Sequence, residues 1–339
     1  MKKETVTTNQ ITEGVIWKQL LLFFFPIVLG TFFQQLYNTA DTIVVGRFVS
    51  KEALAAVGGS AAQIVGLIVG FFVGLASGAS VIISQFYGAK NRVQLNRALH
   101  TAYAFSIIGS IFITVLGILI APWMLELMHT PQETMADALL YLRIYFAGII
   151  FVFIYNVGSS ILRAMGDSRR PLYYLIVCCI LNIVLDIVLV IVFHMGVAGV
   201  SIATIFSQGV SAVLITRALM HSDDLYQLEF RKIRFHKSAL ISLIWVGCPT
   251  GIQSILYSVT NMLIQTFLNN LGTDTVAAWS AFGKIDSLYW MVNNAFGIAV
   301  TTFVGQNFGA GKYDRMKRVS SIGLCMGLCS SSDIDSHIL

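Results

Sequence analysis

Long apolar stretches, separated by short polar segments, make up most of this chain. A helix needs about 20 apolar residues to cross roughly 30 Å of hydrocarbon. The pattern predicts eight complete membrane-spanning helices, at 18–46, 53–86, 95–121, 138–162, 171–193, 196–219, 239–268 and 275–307. Strands of a membrane barrel alternate between apolar and polar residues and do not form such uninterrupted runs. We therefore expect an all-α integral membrane protein.

The composition supports a membrane protein and excludes several other classes. Apolar residues make up 56% of the 339 residues, and charged residues make up only 12%. A soluble domain carries about 25% charged residues, so this chain has too few charges to cover a water-exposed surface. The five cysteines show no Cys-x-x-Cys or Cys/His spacing, so the sequence predicts no zinc site.

Basic residues predict how the chain lies in the membrane. With the N-terminus inside, the predicted inner segments hold 18 Lys and Arg, whereas the outer segments hold only Arg47 and Lys51. Basic loops that face anionic lipid explain the net charge of +5 without nucleic acid as a partner. We expect a multi-pass protein of the plasma membrane with a cytoplasmic N-terminus.

The sequence contains an internal repeat. The pattern Gln-x-x-Gly-Ala occurs at 85–89 and again at 306–310, and Pro26 matches Pro249. Together with a Leu-Ala-Ala/Val-Ala-Ala match, these landmarks keep an offset of 221 to 223 residues. The repeat predicts two six-helix bundles in the same orientation, related by an axis along the membrane normal. We assign 1–220 to the first bundle, 221–238 to a cytoplasmic linker and 239–324 to a partial second bundle.

The repeat also leads to an expectation about the end of the chain. A unit of this length would continue beyond residue 339, and the segment 325–339 is polar where the repeat predicts another span. We expect 325–339 to be an aberrant tail of a truncated or frame-shifted product.

A first group of intramembrane polar residues suggests cation binding. Asp41, Asp186 and Thr204 fall at one level, on the order of 10 Å below the outer surface, and Asn182 lies one turn before Asp186. Ionisable residues within spans usually mark function. Two carboxyl groups at low dielectric do not both stay ionised, so the pair would take up a proton or Na⁺. Alternatively, each acid caps a helix or meets a packing partner.

A second group indicates a cavity. Gln34, Tyr37, Asn38 and Asp41 follow the i, i+3, i+4, i+7 spacing of one helix face, and Asn156 lies on the fourth span. Such side chains avoid lipid and face the interior. They would suit a water-filled cavity for large amphiphilic cations, although hydrogen bonds between helices explain them without a cavity.

The sequence holds no recognisable enzyme or ATPase motif. We find no Ser/His/Asp set, phosphate-binding glycine loop or His-Glu-x-x-His. We expect no enzyme activity, no cofactor apart from a coupling H⁺ or Na⁺, and no metal beyond Na⁺ at Asp41 and Asp186.

Taken together, these residues resemble the multidrug and toxic compound extrusion (MATE) family, in the bacterial branch of DNA-damage-inducible transporters. The resemblance covers residues 10 to about 324 and rests on Pro26, the polar face of the first span, both Gln-x-x-Gly-Ala motifs, the Arg-Ala-Met-Gly-Asp loop at 163–167, and Asn182-x-x-x-Asp186 followed by Thr204. It implies two bundles in a V, in a bacterial cell membrane. It also implies cation coupling at Asp41, Asn182, Asp186 and Thr204, and a bend of the first helix near Pro26.

We therefore predict secondary efflux of cationic or amphiphilic drugs in exchange for H⁺ or Na⁺, by a monomer that alternates between inward and outward access. Gln34, Tyr37, Asn38 and Asn156 are the predicted drug-binding residues. A lipid or polysaccharide-precursor flippase of the same superfamily is one alternative, although its groove should carry several basic residues. An intramembrane enzyme and an inactive truncated fragment are the others.

Overall fold

The computed structural model of the chain describes residues 11–222, 226–269 and 273–336. This part of the chain contains helices and no strand. The helices are α1 (Ile16–Phe48), α2 (Lys51–Gly58), α3 (Ser60–Gly88), α4 (Arg92–Leu127), α5 (Gln132–Ala164), α6 (Arg169–Asp186), α7 (Gly196–Met220), α8 (Lys237–Asn269), α9 (Thr273–Gly309) and α10 (Tyr313–Ser336).

The predicted spans are all helical. Among the described residues, seven segments are long and apolar enough to cross a membrane, with α2 and α3 counted as one span. The eighth predicted span corresponds to α9, which is 37 residues long. The prediction of an all-α multi-pass membrane protein is thereby confirmed.

Two spans are less regular than the sequence suggested. The second breaks between α2 and α3 at Gly59, next to Gly58, and a pair of glycines favours such a break because glycine lowers helix stability. The fifth changes after Asp186 into a π-helical turn, Ile187–Val192. Turns of this kind are frequent at functional sites, and this one follows directly on a predicted site residue.

The segment 325–339 is helical over most of its length. The last helix, α10, continues to Ser336 and packs along α9 and α1. Val319 of α10 is fully buried in a cluster with Phe23 of α1 and Phe303 of α9. Residues 337–339 lie outside the described part of the chain.

Two helix contacts make up most of the packing between the predicted bundles. At the first, α1 packs on α9, where the rings of Phe24 and Phe296 stack with centroids 3.9 Å apart. At the second, α3 packs on α8 and α9. The close approaches of α3 glycines to these helices run from Gly70, beside Ser254, to Gly88. The bundles therefore meet along the half of α3 that ends on the predicted cytoplasmic side.

At that end of α3 the two Gln-x-x-Gly-Ala motifs cross each other. A Cβ atom placed on Gly88 would overlap the carbonyl oxygen of Gln306, and one placed on Gly309 would overlap the carbonyl oxygen of Gln85. The contact is reciprocal, as expected if the motifs are equivalent parts of a repeat. Only a residue without a side chain lets these two backbones approach so closely.

The linker between the bundles is docked on the start of α4. The Glu229 amide donates to His100 Nε2 at 3.1 Å, and the His236 amide donates to Thr101 Oγ1, also at 3.1 Å. Leu228 is buried in the same cluster as the core of the first bundle. These contacts hold residues 226–236 against the first bundle.

A valine at Gly88 tests the glycine crossing. Because the added side chain would meet the Gln306 backbone, Gly88→Val should lower the free energy of unfolding by about 1–3 kcal/mol. The matched control is Gly66→Val, also on α3, where no described atom lies within 4 Å of an added Cβ. Thermal unfolding of both variants in detergent gives the comparison, and equal midpoints would contradict this packing.

Candidate functional site

The four predicted cation-coupling residues meet inside the first bundle. Asp41 of α1, Asn182 and Asp186 of α6, and Thr204 of α7 are all buried, and the Asp186 and Asn182 side chains lie beside the Asp41 carboxyl group. Thr204 Oγ1 donates to Asp41 Oδ2 at 3.3 Å. The spacing of Asn182 and Asp186, one helical turn, explains why both side chains reach α1.

Few polar atoms of this cluster have a hydrogen-bond partner among the described residues. The Thr204 hydroxyl also lies 3.0 Å from the Val200 carbonyl oxygen, so its single proton is shared between two acceptors. Five buried polar atoms have no hydrogen bond of normal geometry to any described residue: Asp41 Oδ1, both side-chain polar atoms of Asn182 and both carboxyl oxygens of Asp186. Buried polar atoms are seldom left without partners, so a proton, an ion or water would complete this site.

The chemistry of the cluster suits a small cation. Its free atoms are mainly carboxyl and amide oxygens, which hard cations prefer as ligands. None of the described ion pairs involves Asp41 or Asp186. Two neighbouring carboxyl groups without a cationic partner repel each other when both are ionised. Uptake of H⁺ or Na⁺ would remove this repulsion.

The predicted drug-binding residues separate into two groups. Gln34, Tyr37 and Asn156 line one cavity of about 200 Å³, which also touches Asn294 of α9. Asn38 is not part of its lining, and the Asn38 Nδ2 atom lies 3.5 Å from Gln35 Oε1. The helical spacing predicted that Asn38 and Tyr37 share one face of α1. That face is wide, however, and a residue at its edge need not point in the same direction as one at its centre.

A second, larger cavity adjoins the first. It has a volume of about 460 Å³ and lies between α3 and α5 of the first bundle and α8 and α9 of the second. Both cavities share Val73, Arg163, Asn294 and Ile298. The inter-bundle space is thus lined by small polar side chains and apolar walls.

Two residues of this region were missed as site residues by the sequence analysis. Gln208 lies one turn after Thr204 on α7, and its Nε2 donates to Tyr37 Oη at 3.2 Å. The i+4 spacing from Thr204 could have identified it. Arg163 was counted with the basic residues of an inner segment, but it belongs to the last turn of α5 and lines both cavities.

The predicted bend position, Pro26, also lies at the first cavity. Pro26 is inside α1, which runs through it as one helix. Its ring removes one backbone donor, and the bend there stays a prediction.

Neutralising one carboxyl group tests the idea that the pair lacks a counter-charge. In sodium-free buffer at neutral pH, the free energy of unfolding of Asp186→Asn should equal that of the wild type or exceed it by roughly 1 kcal/mol or more. The reason is that the amide ends the repulsion between the two buried carboxyl groups without changing the shape of the side chain. Thermal unfolding in detergent measures the difference. Asp137→Asn on α5 is the control for charge removal in the same bundle. A clear loss of stability in Asp186→Asn alone would mean that both carboxylates are stabilised by a partner.

Comparison with known proteins identifies the family. The MatE family model matches residues 26–188 and 249–332, and these two matches begin at Pro26 and Pro249, the prolines of the internal repeat. The probable multidrug resistance protein YoeA of Bacillus subtilis (strain 168) is 30% identical over 331 residues, which are 95% of this chain and 71% of the relative. The multidrug export protein MepA of Staphylococcus aureus (strain NCTC 8325 / PS 47) is 23% identical and covers 94% of this chain and 72% of its own length.

Solved structures agree on the fold. An outward-facing conformation of a multidrug resistance MATE family transporter of the MOP superfamily superposes with a TM-score of 0.90 at 24% sequence identity. The match covers 99% of this chain and 74% of that one. Because the family model matches most of the chain and the fold agrees, this chain belongs to the MATE family of membrane transporters.

Proposed function

We propose that this protein exports amphiphilic, cationic drugs in exchange for H⁺ or Na⁺, by alternating access. The observation that carries the proposal is the pair of acids Asp41 and Asp186, buried side by side with unsatisfied oxygens and without a described counter-charge. Such a pair is more stable after it takes up a cation, and cation binding can therefore bias one conformation over another.

The contacts between the bundles support alternating access. Close packing along the inner half of α3 ends in the reciprocal contact of Gly88 and Gly309 with the opposite motif. Lys312 with Glu13 is the single described ion pair that crosses between the bundles, and it is a partly exposed contact of 3.9 Å. Rocking of one bundle against the other is a common transport motion. In this proposal, the glycine crossing closes the predicted cytoplasmic end while the other end is open.

The drug-binding part of the proposal rests on the cavities. Gln34, Tyr37 and Asn156 place amide and phenol groups beside apolar walls such as Val152 and Leu175. Sites for drug-sized molecules are usually apolar with a few polar groups. The names of relatives such as YoeA and MepA, a multidrug resistance and a multidrug export protein, support this class of substrate.

A flippase for lipid or polysaccharide precursors receives less support. A pyrophosphate headgroup calls for several basic side chains, and Arg163 is the single charged residue among the described linings of these two cavities.

Efflux from reconstituted vesicles tests the coupling role. In Asp41→Asn, the drug-binding cavity stays intact but the pair can no longer gain and lose a charge, so ethidium efflux driven by an imposed ion gradient should fall to background. Parallel vesicles with only a pH gradient or only a Na⁺ gradient identify the coupling ion. Asp137→Asn should transport like the wild type, and unimpaired exchange in Asp41→Asn would refute the coupling role.

A further inference from the structure

We infer that Arg163 forms a binding site for an anionic group, so that the ligands of the inter-bundle cavities include amphiphiles with a phosphate or carboxylate. The inference rests on the proposed function only in that it treats these cavities as the path of the cargo. By this inference, the cavities proposed to bind cationic drugs also bind anionic groups.

Arg163 lacks a counter-charge within the described part of the chain. The guanidinium group makes one described hydrogen bond, from Nη2 to Ser160 Oγ at 3.3 Å. The acid closest in sequence, Asp167, is paired with Arg170 instead. The negative end of the α5 dipole, at the last turn where Arg163 lies, amounts to about half a charge. A guanidinium group has five N–H donors in a planar fork, so most of its hydrogen-bonding capacity is unused.

The free N–H donors of Arg163 lie at the two cavities between the bundles. Both cavities are lined by Arg163, and it is the single charged residue in either described lining. Asp41 and Asp186 are absent from both linings, because they are buried within the bundle. The electrostatic field of the shared space is therefore set by a positive group that a ligand can reach.

The surroundings define the chemical class of the ligand. Ser160, Ser168 and Asn294 place hydroxyl and amide groups in the same linings, and Val73, Leu172 and Ile298 supply apolar walls. A guanidinium fork matches the two oxygens of a phosphate or carboxylate. An amphiphile with such a headgroup satisfies both the charge and the walls, whereas inorganic phosphate satisfies the charge alone.

A ratio of affinities tests the inference without any transport measurement. Binding of dodecyl phosphate and of dodecyltrimethylammonium, which share one chain and differ in charge, is measured on the full chain in a nonionic detergent. Arg163→Gln should weaken dodecyl phosphate binding by about tenfold or more and leave dodecyltrimethylammonium binding equal or stronger. Arg143→Gln is the matched control, because it removes the same charge from an exposed position on the same helix.

Two further measurements keep the test decisive. If Arg163→Gln fails to fold, Arg163→Lys serves instead, since it keeps the charge but loses the planar fork and should weaken phosphate binding alone. Phosphatidylglycerol that copurifies with the wild type and Arg143→Gln but not with Arg163→Gln would identify the anion as a bilayer lipid. Binding of added dodecyl phosphate to lipid-free protein would identify a ligand that enters from water.

An unchanged ratio of the two affinities in Arg163→Gln and Arg163→Lys would overturn the inference. That result would leave the antiport proposal untouched, because Asp41 is separate from these cavities. Conversely, efflux that survives in Asp41→Asn would overturn antiport while the anion site at Arg163 could still be measured.

Discussion

The free energy of an ionised side chain depends steeply on its surroundings, and this dependence explains where the charged residues of this molecule lie. In a bilayer, ionised side chains are costly unless they meet water, a partner or an ion. The chain places Asp41 and Asp186 together inside one bundle, and most of their oxygens have no hydrogen-bond partner among the described residues. A group left in this condition is sensitive to the arrival of a proton or a sodium ion. Such sensitivity is what a transporter needs to link ion binding to a change of shape.

The same constraint separates two electrostatic regions of opposite sign. The acids lie within the helix bundle, whereas Arg163 faces the space between the bundles. Because the two regions are distinct, the ion and the cargo of the proposed antiport would bind different atoms. The helices that carry them are nevertheless connected, since Tyr37 lies one turn from Asp41 on α1 and also lines the cavity.

Glycine explains how closely the two predicted bundles approach each other. The crossing of Gly88 and Gly309 with the opposite Gln-x-x-Gly-Ala motif brings two stretches of backbone into contact with few side chains between them. Such an interface gains dispersion energy from close approach and carries little electrostatic attachment. Elsewhere the bundles are held by the packing of Phe24 on Phe296 and by hydrogen bonds from Lys312 and Arg315 to backbone carbonyl oxygens of residues 12–14. The molecule thus combines one aromatic contact between the bundles with one contact that depends on small residues.

The linear sequence determined the features that depend on the thickness of a bilayer and on repetition along the chain. Every predicted span is helical, because a run of apolar residues in lipid must satisfy its own backbone hydrogen bonds. Depth along each span also brought Asp41, Asn182, Asp186 and Thr204 to one level, and the structure places them side by side. The sequence did not determine how each helix is rotated about its own axis. Only tertiary packing turned Asn38 away from the cavity, added Gln208 to Tyr37, and directed Arg163 into the inter-bundle space, because the contacts of a whole helix, and not its own residues, set its rotation.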